Sequence, residues 1–315
     1  MTMELRWLAN PSASCLHAVA AVEQNRHLID QPLAEAIAPG VAALRQAIRA
    51  AGLRPRRAIG HFTALVAGIP NPRELAETVL LKFGIVSHDR RRELAGPLAE
   101  ILTELLHAGR SLNPHLAEEL TLRCGPIREQ WESRGPGMLK SVAKMTDEQL
   151  IVDGADLFLV HPVLGGGGTA HILFNSVRLE AMLVNPEPRL PEVVRLAWLL
   201  GQLNSDLPKF GEGIHPDRLP GIAALALIPP TLAAAEFVEL TTFEPSTVEL
   251  ALRTWRPEIP LRLNANGEEL DSNETAASRD EKEVAEILLS WWQTFVEKQP
   301  GWGVALLALD QMLMS

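Results

Sequence analysis

Residues 157–174 read LFLVHPVLGGGGTAHILF, and the reading of this stretch decides the fold. Leu157 to Leu164 is rich in β-forming residues, four glycines follow at Gly165, Gly166, Gly167 and Gly168, and Thr169 to Phe174 is apolar again. Two apolar runs joined by glycine predict a β-hairpin around residues 157–174. Pro162 lacks an N–H, so the first strand is expected at an edge or a bulge.

Outward from this stretch the pattern is helical. Asn71-Pro72 pairs an N-cap with an N1 proline, and Gly84 marks the stop. Leu98, Ile101, Leu102, Leu105 and Leu106 fall on one helical face after Pro97. Asn113-Pro114 predicts another start, with an end near Gly125. Beyond Asn175, the spacing of Val177, Ala181 and Val184 predicts a further helix. Pro191 to Leu203 is apolar on nearly all sides, as a buried central helix is. Arg262 to Arg279 is polar and reads as a loop, and Ser278-x-x-Glu281 reads as a capping box. The expected class is therefore mainly α with one small hairpin; the alternative is α+β with a small sheet. Residues 131–137 (WESRGPG) interrupt the pattern. They suggest an N-terminal helical region, 1–130, and a larger region, 131–315, or one continuous domain.

Composition limits the functional classes. Hydrophobic residues make up 47% and charged residues 22%, enough to bury a core. The net charge is −10, with +2 on residues 1–130 and −12 on 131–315. An acidic chain repels phosphate backbones, so nucleic acid is not expected as a partner. Two basic clusters, Arg54 to Arg57 and Arg90 to Arg92, would form an anion-binding patch if the fold joined them. Cys15 and Cys124 are too few and too far apart for a disulfide framework or a metal knuckle. Met1 to Pro11 has no apolar signal region, and Gly221 to Ala235 is interrupted by Pro229 and Pro230. No membrane association and a cytoplasmic location are the expectation.

Three features could carry chemistry. The first is His161 and His171, which flank the glycines. A register that sets them opposite each other puts both imidazoles on one face, and a slip of one residue separates them. A divalent metal there would need further ligands, with Glu180, His215 or Asp217 as the sources, because zinc takes about three or four protein ligands. His215 and Asp217 also share a glycine-rich loop and could act as an acid/base pair. The second feature is the glycine run as an anion cradle. It lacks the following Lys-Ser/Thr of a P-loop and the acidic residue of a dinucleotide fingerprint, so it reads as a hairpin tip.

The third feature is Trp292, adjacent to Trp291 on a helix, with Trp302 nearby. Adjacent helical residues diverge by about 100°, so Trp292 leaves the apolar face and suggests an interface. The sequence thus favours a non-enzymatic helical binding or scaffold protein, with a protein partner or homo-oligomer and no cofactor. The alternative is a metal-dependent or His-based hydrolase-like enzyme at His161 and His171.

Overall fold

The computed structural model describes residues 3–257, 259 and 280–314. Its elements run β1 (Glu4–Ala9), α1 (Pro11–Glu23), α2 (Gln31–Ala50), α3 (Pro55–Leu65), α4 (Pro72–Lys82), α5 (His88–Leu112) and α6 (Leu116–Met145). Then follow β2 (Gly154–Val160), β3 (Gly168–His171), β4 (Ser176–Glu180), α7 (Glu192–Gly201), α8 (Pro208–Gly211), α9 (Leu219–Ala226) and α10 (Ile228–Phe237). The last are α11 (Pro245–Trp255), α12 (Glu281–Lys298) and α13 (Trp302–Met314). The protein is mainly helical with a small four-stranded sheet.

The sheet is not the predicted hairpin. Its order is β1-β2-β4-β3, so β4 lies between the two runs that were expected to pair. β1, β2 and β4 are parallel, and β3 pairs antiparallel with β4. The predicted helix after Asn175 is a strand because Val177 and Leu179 alternate with Ser176, Arg178 and Glu180, a period of two. β1 pairs with a strand 150 residues away, a contact that no local pattern announces.

The sheet separates two apolar clusters. Leu157, Leu159, Val177 and Leu179 face a large cluster that includes Val142 of α6 and Leu196 of α7. Val160 and Val163 join a second cluster built from α1 to α5. The first cluster draws on residues 116–313 and the second mostly on 13–106. On the second side, Thr169, His171, Ser176, Arg178 and Glu180 share one face of β3 and β4, by register and pleat. This side therefore carries a polar layer between sheet and helices.

The helical expectations are met in part. Asn71 caps α4 through Arg73 and Glu74, and Gly84 ends it at φ +82°. α7 is buried along its whole length. α5, however, begins at His88, capped by Ser87, and runs through Pro97. α6 runs unbroken through Gly125 and residues 131–137. There a Cβ on Gly135 would fall 2.3 Å from Trp131, so the glycine leaves room for the indole one turn earlier. Prolines 229 and 230 do not separate α10 from α9; they open α10 with only Leu227 between the two helices. Leu219–Phe237 is long and apolar enough to cross a membrane by length and composition, but 78% of its most apolar window is buried within the protein. Ser278 and the loop 262–279 lie outside the described residues. α12 is capped by Asp280, which accepts from Lys282 N.

Candidate functional site

The polar layer centres on Glu180, the last residue of β4, whose side chain has no solvent exposure. Its Oε1 accepts from His17 Nε2 at 2.7 Å and from Leu164 N at 2.8 Å. Its Oε2 accepts from Gly166 N at 2.6 Å. Burial alone would push this carboxyl up, but His17 and the two amides outweigh it and hold the pKa below its ordinary value. Of the glycine run only the Gly166 amide, together with Leu164 N, thus holds an anion, and that anion is the protein's own carboxylate. Gly165 and Gly166 take φ +72° and +117°, which turns the Gly166 amide onto Glu180.

The far side of the loop rests on α7. A Cβ on Gly166 would lie 3.3 Å from both Glu192 Oε1 and Arg195 Nη1. These two side chains pair at 2.8 Å in the interior. Burial pushes Glu192 up to about 7 despite Arg195. Arg195 also donates to Thr254 O at 3.2 Å, and its Nε has no partner. Arg178 is fully enclosed; burial lowers it to about 10, so it remains a cation at neutral pH. It donates to Thr169 Oγ1 at 3.1 Å, and its Nε and Nη1 have no partner. His17 is held neutral, pushed down to about 4 by burial and by Arg178. His171 is pushed well below its ordinary value by the same two causes.

This centre reaches the surface through Arg26. Its guanidinium feels Arg256, Glu180 and Arg195, although burial is the largest cause of its lowered pKa. Arg26, Arg56 and Arg256 line one depression of about 460 Å3, with Glu23, Gln24 and Asn25. They come from three places: the turn after α1, the first turn of α3 and the C-cap of α11. The basic cluster at 54–57 therefore meets Arg26 and Arg256. Arg90 is instead paired with Glu93 on α5.

The sequence candidates are dispersed. His171 is level with Asp156, at the start of β2, whereas His161 follows its end. Five residues along the strand separate these levels, about 16 Å at ~3.3 Å per residue, and β4 lies between the strands. His161 and His171 share no metal. His215 and Asp217 are exposed, and His215 Nδ1 accepts from Asp217 N at 3.3 Å, which closes a local turn. Among the described residues, no group of three His, Cys, Asp or Glu could hold a metal ion. Trp292 and Trp302 are 7% and 2% exposed and pack with Trp291 and Phe295. Neither presents a surface to a partner: Trp302 and Ala305 of α13 pack on Trp291 and Phe295 of α12, and Trp292 is itself buried.

His17, Arg26, Arg178, Glu192, Arg195 and Arg256 were not among the sequence candidates. The available signal was a charge in an apolar setting: Arg178 and Glu180 at alternate positions of a buried strand, Glu192 and Arg195 one turn apart in a buried helix. No protein-family model, curated protein or solved structure matches the chain.

Proposed function

We propose that this is a non-enzymatic binding protein whose ligand is a small oxyanion, a phosphate or carboxylate, held in the depression formed by Arg26, Arg56 and Arg256. One observation carries the reading: three guanidinium groups from separate elements converge on one depression of a chain with net charge −10. Guanidinium groups offer paired N–H donors whose geometry matches an oxyanion through bidentate hydrogen bonds.

The reading is a binding one because the proton-carrying groups of the buried centre are occupied or enclosed. Glu180 is fully engaged, and His17 and His171 are neutral and buried. His161 Nε2 faces Asp30 at 3.3 Å, and its Nδ1 is buried. A general base must reach its substrate. The protein-protein form of the binding reading loses its main support with the burial of Trp292.

Isothermal titration with inorganic phosphate, pyrophosphate and citrate at low salt tests the proposal. Saturable binding is expected, weakening as salt rises. Arg256→Asn, which keeps a residue tolerant of the left-handed φ of +49°, should weaken binding about tenfold. No saturable binding of any of the three, or equal binding by Arg256→Asn, rejects it.

A further inference from the structure

A second cavity, of about 440 Å3, lies where β1 and β2 end. Asn10 follows β1 and His161 follows β2, and both line it. The carboxyl ends of parallel strands are where open α/β sheets place ligands, and small-molecule sites span roughly 300–1,000 Å3.

Its lining combines two opposite charges with an apolar wall. Asp30 is held in place: Oδ1 accepts from Leu33 N at 3.1 Å and Oδ2 faces His161 Nε2 at 3.3 Å. The carboxylate keeps unused lone pairs, and its side chain is 32% exposed. Arg110, near the end of α5, lines the same cavity and is exposed. Leu33, Leu106 and Leu116 form the apolar wall. A carboxylate and a guanidinium sum to zero, so a singly charged ligand would leave one of them uncompensated. A zwitterion matches both.

We infer that this cavity binds an α-amino acid with an aliphatic side chain. The ammonium group is placed at Asp30, the carboxylate at Arg110, and the side chain against the leucines. The inference is independent of the oxyanion site, which shares no lining residue with this cavity.

The test is isothermal titration of the full chain with L-leucine, leucine amide and 4-methylpentanoate. Leucine amide lacks the carboxylate and 4-methylpentanoate lacks the ammonium group. L-leucine is expected to bind saturably, and each truncated ligand to bind about tenfold more weakly or less. Asp30→Asn keeps the cap of α2, because asparagine caps as well as aspartate, and Arg110→Gln changes an exposed residue. Each variant should lose about tenfold in leucine affinity, while Arg256→Asn should leave it unchanged. Circular dichroism of each variant establishes that it is folded. Absence of saturable leucine binding, equal binding of the truncated ligands, or parental affinity in folded Asp30→Asn and Arg110→Gln overturns the inference.

Discussion

Glu180→Ala is expected to lower the stability of the protein by about 3–5 kcal/mol, measured by urea unfolding near neutral pH. The carboxylate accepts from His17, Leu164 and Gly166, and its side chain is fully buried. Truncation leaves three donors without their acceptor. It also removes the negative charge nearest the buried Arg178. Glu180→Gln keeps the shape, but its NH2 group must face at least one N–H donor, so an intermediate loss is expected. A loss under about 1 kcal/mol for the alanine variant would mean that the loop is not held by Glu180.

The same centre sets the dependence of stability on pH, and its members act in opposite directions. His17 is lowered from 6.5 to about 4. The unfolded chain takes up this proton near 6.5 and the folded chain refuses it until about 4. The contribution is full above 6.5 and is lost as pH falls to 4, on the order of 3 kcal/mol. His171 is also lowered and acts in the same direction. Glu192 runs the other way: raised to about 7, it takes up a proton in the folded state first, so acidification from 7 toward 4.5 stabilises. Its gain offsets much of the loss at His17. Glu180, with its pKa lowered, contributes above the ordinary carboxylate value and loses that contribution as pH falls further. Glu192→Gln removes the offset, so its stability should fall more steeply between pH 7 and 4 than that of the parent protein. Parallel profiles would count against a buried, protonatable Glu192.

The helices were legible because their signals are local. The cap at Asn71 and the apolar faces of α5 and α7 depend on residues a few positions apart. Breaks expected at Pro97, Gly125 and residues 131–137 are absent from α5 and α6. Pro97, Pro126 and Pro136 sit inside α5 and α6, where flanking buried residues such as Leu98, Ile127 and Met138 hold the helix through the lost hydrogen bond. The sheet was not legible beyond its existence. Nothing within residues 157–174 says that residues 176–180 will insert between the two runs, or that residues 4–9 will pair with 154–160. The site follows the sheet: Arg178 meets His17 only because β4 faces α1, so its parts are scattered from residue 17 to residue 256.

The glycine run supplies the sharpest test of how the centre is built, because its members should respond unequally to alanine. At Gly165 a Cβ meets nothing within 4 Å, so Gly165→Ala costs only the φ of +72°, about 1–2 kcal/mol. At Gly168 a Cβ lies 2.8 Å from the Arg178 carbonyl oxygen and 2.6 Å from Leu199. The carbonyl belongs to the neighbouring strand and cannot rotate away, so Gly168→Ala should cost about 3 kcal/mol or more. Gly166 combines both penalties: φ is +117°, a region nearly reserved for glycine, and a Cβ falls 2.9 Å from Pro186. Gly166→Ala should therefore cost the most, about 3–5 kcal/mol. Its relief, a shift of the loop away from α7, would pull the Gly166 amide from Glu180 and separate the loop from Arg195, whose charge acts on Arg26. Anion affinity should then fall with stability in Gly166→Ala and stay near parental in Gly165→Ala. A flexible tip would tolerate all three substitutions alike. The graded order, Gly165 least and Gly166 most, is the signature of a loop clamped between a buried carboxylate and a buried ion pair.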